Sequence, residues 1–217
     1  MPFESNLQEE IIKYVYGHLP NEEWYEKKFY PFITNNELRT RLITEFKNSR
    51  VIYKIFEGLQ ATDELLLAQV KTQVIMYVSI QEAAINYVLF DLKKDTEIVK
   101  KLLYQNRLIK ISIPQHKRDK LEKELFHDGK ELIPHYEDKK PVDKTKIRYD
   151  QKVDACYNLG LIDSDMKNDL IKLYEYRNTV HLEAELKKGL TYDLEMGLLA
   201  YRRVEGLSIR LSEHLTN

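Results

Sequence analysis

Residues 62–92 read "TDELLLAQVKTQVIMYVSIQEAAINYVLFDL". Thr62 suits an N-cap, and Asp63 and Glu64 set negative charge against the positive end of the helix it opens. The apolar residues that follow recur around most of the circumference rather than along one stripe. Other helices must cover such a helix on several sides, so it belongs in the middle of a bundle. Lys71 and Glu82 interrupt the apolar run from 65 to 90. This one segment argues for an all-α fold.

The flanking sequence extends the same reading. Asn35 or Asn36 caps a preceding helix that runs to about Gly58. Before it, 1–35 form an N-terminal appendage: a short helix over roughly 5–18, then the aromatic-rich connector "NEEWYEKKFYPFITNN", expected to pack on the bundle. Residues 93–145 are an insertion. There "NRLIKISIP" has the β-branched content of a short strand, and "FHDGKELIPHYEDKKPVDK" the turn residues of a small β-hairpin. Helical periodicity returns over about 146–159 and stops at Gly160, a suitable residue just past a helix end. Asp163 or Ser164 caps the next helix, and a last one covers about 191–215. The expectation is a single domain, 1–217, built as a four-to-five helix bundle.

Composition narrows the function classes. Seven glycines and six prolines in 217 residues are too few for a turn-rich β protein or a Gly-rich phosphate loop. The formal net charge is −1, so no overall basic field draws nucleic acid, which leaves a local patch as the way to bind it. Cys156 is the single cysteine, and the spacing of His116, His127 and His135 fits no zinc pattern. No metal and no cofactor is expected. The opening "MPFESNLQEE" has neither a basic nor an apolar leader region, and no run approaches the roughly 18 apolar residues of a membrane span. A cytoplasmic protein without membrane contact is expected.

Two residues stand where aliphatic side chains would serve the core. At about 100° per residue, Leu170, Leu173, Tyr174, Arg177 and His181 share one sector of their helix. On residues 62–92, Ile75, Val78, Glu82, Ile85 and Leu89 do the same. A carboxylate and a guanidinium, each out of place alone, satisfy one another if Glu82 pairs with Arg177. The bland alternative puts both at the rim of the core. Arg202, Arg203 and Arg210, with Lys187 and Lys188, form either a phosphate-binding flank or an ordinary solvated face.

The stretch "LYEYRNTVHLE", with the upstream "SIQEAAINYVL" helix, resembles the HEPN superfamily, α-helical domains of toxin, defence and RNA-processing proteins. Arg177 matches the motif arginine, Asn178 its polar neighbour and His181 the histidine, while Glu82 resembles the acidic residue of the family's second helix. The resemblance covers about 62–92 and 146–215. It implies a metal-independent endoribonuclease of toxin–antitoxin or phage-defence type. Arg177 and His181 would be catalytic, Asn178 and Glu82 supporting. RNA is the implied substrate, a homodimer the implied assembly, and an antitoxin or defence partner protein a further implied partner. Three residues separate Arg177 from His181, against four to six in many nuclease members. Two alternatives stay open: a non-catalytic HEPN module binding a nucleotide, RNA or partner protein, and a structural dimerisation protein.

Overall fold

A computed structural model of the chain describes residues 2–124, 130, 133–179, 187 and 189–215. It divides into two compact units, Met1–Lys94 with Arg148–Asn217, and Asp95–Ile147. The architecture is helical, with one two-stranded sheet.

The first unit is built around α4 (Asp63–Tyr87), on which α3 (Asn36–Gly58), α7 (Tyr149–Asn158), α8 (Ser164–Asn178) and α9 (Leu194–Leu215) all pack. Val70, Val74, Tyr77, Val78, Ala84 and Ile85 of α4 are buried, as a helix apolar on most sides requires. Thr62 holds the N-cap position, but its side chain makes no capping bond. The helix continues past Tyr87 as a π-helical turn, Val88–Leu92, in which the Lys93 amide donates to the Val88 carbonyl. On α9 the buried residues Met196, Ala200, Val204, Leu207 and Leu211 recur at helical spacing and form its inner face.

Local signals set the helix ends. The Asn35 side chain accepts from the Leu38 amide and opens α3. Asp163 accepts from the Met166 amide at 2.8 Å and opens α8. α7 ends in a Schellman turn: Gly160 takes φ of +71°, its amide donates to the Tyr157 carbonyl, and the Leu161 amide donates to the Cys156 carbonyl.

The segment 1–35 is more than an appendage. α1 (Ser5–Gly17) lies along α3 and buries Val15, while α2 (Glu22–Lys28), expected as part of a connector, is capped by Asn21. Tyr25, Phe29, Tyr30, Phe32 and Ile33 are core residues. Phe29 packs on Phe46 of α3 with centroids 4.6 Å apart, and the Tyr30 hydroxyl donates to the Val204 carbonyl of α9. Aromatic area of this size stabilises more when it fills the bundle than when it lies on it.

The second unit begins at Asp95 and ends at Ile147. It holds α5 (Glu97–Leu103), β1 (Tyr104–Lys110), α6 (Gln115–Glu124) and β2 (His135–Pro141). The strands pair antiparallel, from Tyr104 opposite Pro141 to Lys110 opposite His135.

Candidate functional site

The Arg177–Asn178 pair closes α8, and what surrounds it follows from the helix face it shares. Ile171, Tyr174, Glu175 and Asn178 recur at helical spacing and form one wall of a pocket of about 390 Å³. Arg148, Tyr149 and Asp150, at the start of α7, form the other. Tyr149 and Tyr174 stack across the helix pair, ring centroids 4.2 Å apart and planes 14° from parallel. Asp150 holds the Arg148 guanidinium through two bonds, 3.1 Å from Nε and 2.6 Å from Nη2.

Arg177 is half-buried. Its guanidinium carbon lies 5.4 Å from the Tyr174 ring centroid, and Nη1 donates to the Asn178 Oδ1 at 3.2 Å. A charge in the last turn of α8 also suits the negative end of that helix. Leu170 and Leu173 are fully buried, so the stripe emerges from the core between Leu173 and Arg177. His181, the last member of the stripe, lies outside the described residues, as do Lys188 and His127.

The expected pairing of Glu82 with Arg177 is not what the chain makes. Glu82 meets Lys152 of α7 instead, with Oε1 3.6 Å from Nζ. The Lys152 side chain is 3% exposed and the Glu82 side chain 26%. A buried ammonium needs a counter-ion more than a half-exposed arginine does, and the carboxylate goes to it. Glu82 and Arg177 nevertheless both act on Tyr174. Burial raises its hydroxyl pKa first, Glu82 adds to the rise and Arg177 opposes it. Tyr174 therefore stays a protonated donor beside the pocket.

Lys152 was missed, although the rule that flags Glu82 finds it. On α7, Tyr149, Lys152, Val153 and Cys156 share the buried face, and the lysine sits where an aliphatic residue is expected. Burial also raises Tyr149, with Glu82 adding to it, and the Tyr149 hydroxyl is enclosed without a hydrogen-bond partner among the described residues.

A second set of bonds fixes the end of α8. Thr179 is buried, and its hydroxyl lies 2.9 Å from both the Tyr192 hydroxyl and the Tyr176 carbonyl. Tyr192 reaches the same carbonyl at 2.8 Å. Two hydroxyl protons serve three contacts, so the carbonyl keeps at least one donor in either arrangement.

Two of the three arginines of α9 are engaged elsewhere. Arg203 donates to Asp169 of α8 at 2.7 Å, and Arg210 to Asp163 at 2.6 Å. Arg203 and Arg210 thus join α9 to α8, while Arg202 is exposed. Among the described residues no three His, Cys, Asp or Glu side chains converge as a metal site, and no helix is long and apolar enough to cross a membrane. No protein-family model, no curated protein and no solved structure matches the chain.

Proposed function

We propose that this chain is a metal-independent endoribonuclease of HEPN-like type, working in a toxin or phage-defence setting as a homodimer. The observation that supports the reading is the setting of Arg177 and Asn178. They sit at a fixed helix end, beside a pocket whose lining includes Tyr174 and Asn178. In this reading the RNA 2′-oxygen attacks the adjacent phosphorus, and the bond from phosphorus to the 5′-oxygen breaks. The 2′-hydroxyl proton passes to a base, the leaving 5′-oxygen takes a proton, and the products are a 2′,3′-cyclic phosphate and a 5′-hydroxyl. His181 moves these protons, since imidazole titrates near neutrality. Arg177 stabilises the charge gathering on the phosphoryl oxygens, and the Asn178 amide donates to one of them. Glu82 supports the site indirectly, by neutralising Lys152 behind the Tyr149–Tyr174 stack.

RNA cleavage in EDTA tests the reading, comparing the wild type with Arg177→Ala and His181→Ala at equal folded concentration. Cleavage that survives chelation and is lost in both variants is the expected result. Cleavage retained in both variants overturns the assignment.

One observation favours a second reading, the non-catalytic binding module. Arg177 is already held by Asn178 and the Tyr174 ring, an arrangement suited to presenting a fixed cation to a bound phosphate or carboxylate. In that case the wild type retains RNA without cutting it, and Arg177→Ala releases it.

A further inference from the structure

The β1–β2 ribbon has two faces, and they differ. Residues opposite one another in an antiparallel pair point to the same side. One face therefore carries Tyr104, Asn106, Leu108 and Lys110 with Pro141, Lys139, Glu137 and His135. All eight are exposed, Leu108 at 68% and Tyr104 at 52%. The opposite face holds the half-buried Ile109 and Asp138 together with the exposed Gln105, Arg107, Tyr136 and Lys140, and there Lys140 is neutralised by Asp138 at 2.9 Å. On the fully exposed first face Lys110 and Lys139 have no ion-pair partner among the described residues, and Glu137 is the one acid beside them.

Charge identifies what such a face takes. Asp95–Ile147 contains 13 Lys and Arg against 10 Asp and Glu, although the chain as a whole carries a net charge of −1. The basic excess is thus concentrated in this unit. A strip with the exposed Tyr104 at one end, Lys139 one step along it and Lys110 at the other end suits a chain of phosphates with unstacked bases between them. A protein partner would more often meet charge depletion at the centre of its contact than two uncompensated lysines.

We propose that this ribbon face is a second polynucleotide-binding surface. It takes single-stranded RNA, with Lys110 and Lys139 contacting phosphates and Tyr104 stacking on a base. The choice of RNA rests on the reading of the α8 terminus given above; the basic, aromatic character of the ribbon does not.

The test is the anisotropy of fluorescein-labelled oligouridine, titrated with the full chain across a salt series in EDTA. A His181→Ala background keeps the probe intact, and circular dichroism checks the fold of each variant. Lys110→Gln with Lys139→Gln should weaken binding and lower the slope of log affinity against log salt by about 1.4, at roughly 0.7 per phosphate contact. Tyr104→Ala should weaken binding about tenfold with the slope unchanged. If the folded double lysine variant keeps both the affinity and the slope, the ribbon proposal is overturned. Should the wild type cut no RNA while the lysine variant still loses slope, the cleavage reading falls and the ribbon surface stands.

Discussion

Lys152 lies under Glu82 with its ammonium 3.6 Å from the carboxylate, and almost no water reaches it. Removing the acid while keeping the lysine strands a charge in the core. Glu82→Ala should therefore lower unfolding free energy by about 3 kcal/mol, and adding Lys152→Met should recover most of that loss. Urea unfolding of the two variants decides it. A single-variant loss within about 0.5 kcal/mol, as at surface sites, would show that the pair carries no such burden.

Two glycines of α9 make a contrasting pair. A methyl at Gly197 would come 2.9 Å from Oε1 of Gln73, a buried side chain with no room to swing into water. At Gly206 the methyl would meet the Cε of Met166 at 3.1 Å, the end of a flexible thioether. Gly206→Ala should raise stability by about 0.5–1 kcal/mol through helix propensity, and Gly197→Ala should lower it by about 1 kcal/mol. Thermal melts that rank the two the other way round would refute the steric reading.

Buried tyrosines set an alkaline limit. Burial pushes Tyr25 and Tyr201 up to about 12, with a bond to Glu205 helping at Tyr201, and it raises Tyr30 and Tyr149 too. Unfolded tyrosine ionises near pH 10. Between about 10 and 12 the unfolded chain has released protons that the folded chain still holds, so unfolding gains as pH climbs. Stability should be level up to about pH 10 and fall steeply above it. Tyrosinate absorbance should lag behind that of free tyrosine and then jump with the loss of helical circular dichroism. A single smooth titration near pH 10 for all fifteen tyrosines would contradict this.

Tyr192→Phe removes one of the two hydroxyl protons that serve the Tyr176 carbonyl and the Thr179 hydroxyl. A loss of about 1–2 kcal/mol is expected. Amide exchange at Thr179 should quicken relative to the middle of α8. Uniform exchange along the helix would mean that the hydroxyl does not hold its end.

Much of the fold could be read directly from local chemistry. Asn35, Asp163 and Gly160 act at helix ends through bonds within a few residues of themselves, so their types announce their roles. The all-round apolar character of α4 likewise follows from its position among four helices. Other features depended on distant partners. Glu82 was recognisable as misplaced, yet the choice of Lys152 over Arg177 turned on which cation was deeper, a property of packing. The connector around Phe29 and Tyr30 is legible as aromatic and packed on the bundle, but its partners on α3 and α9, far along the chain, are not. The π-helical turn at Val88–Leu92 has no compositional mark and read simply as more helix. At the candidate site, the Arg177–Asn178 stripe was visible from spacing alone, whereas the Tyr149–Tyr174 stack required two helices to meet.

The bundle is written in two pieces, interrupted where the chain leaves at Lys94 and resumes at Arg148. During synthesis, α4 emerges long before α7, α8 and α9 exist to cover it. The sides that α3 does not cover must wait through the whole of Asp95–Ile147, whose strands close on each other locally and can finish first. α9 follows α8 in the chain and packs on both α4 and α8. A nascent chain stalled before residue 194 would have α3, α7 and α8 to cover α4 but would leave bare the side that α9 covers, and exposed apolar surface of that kind calls for a chaperone.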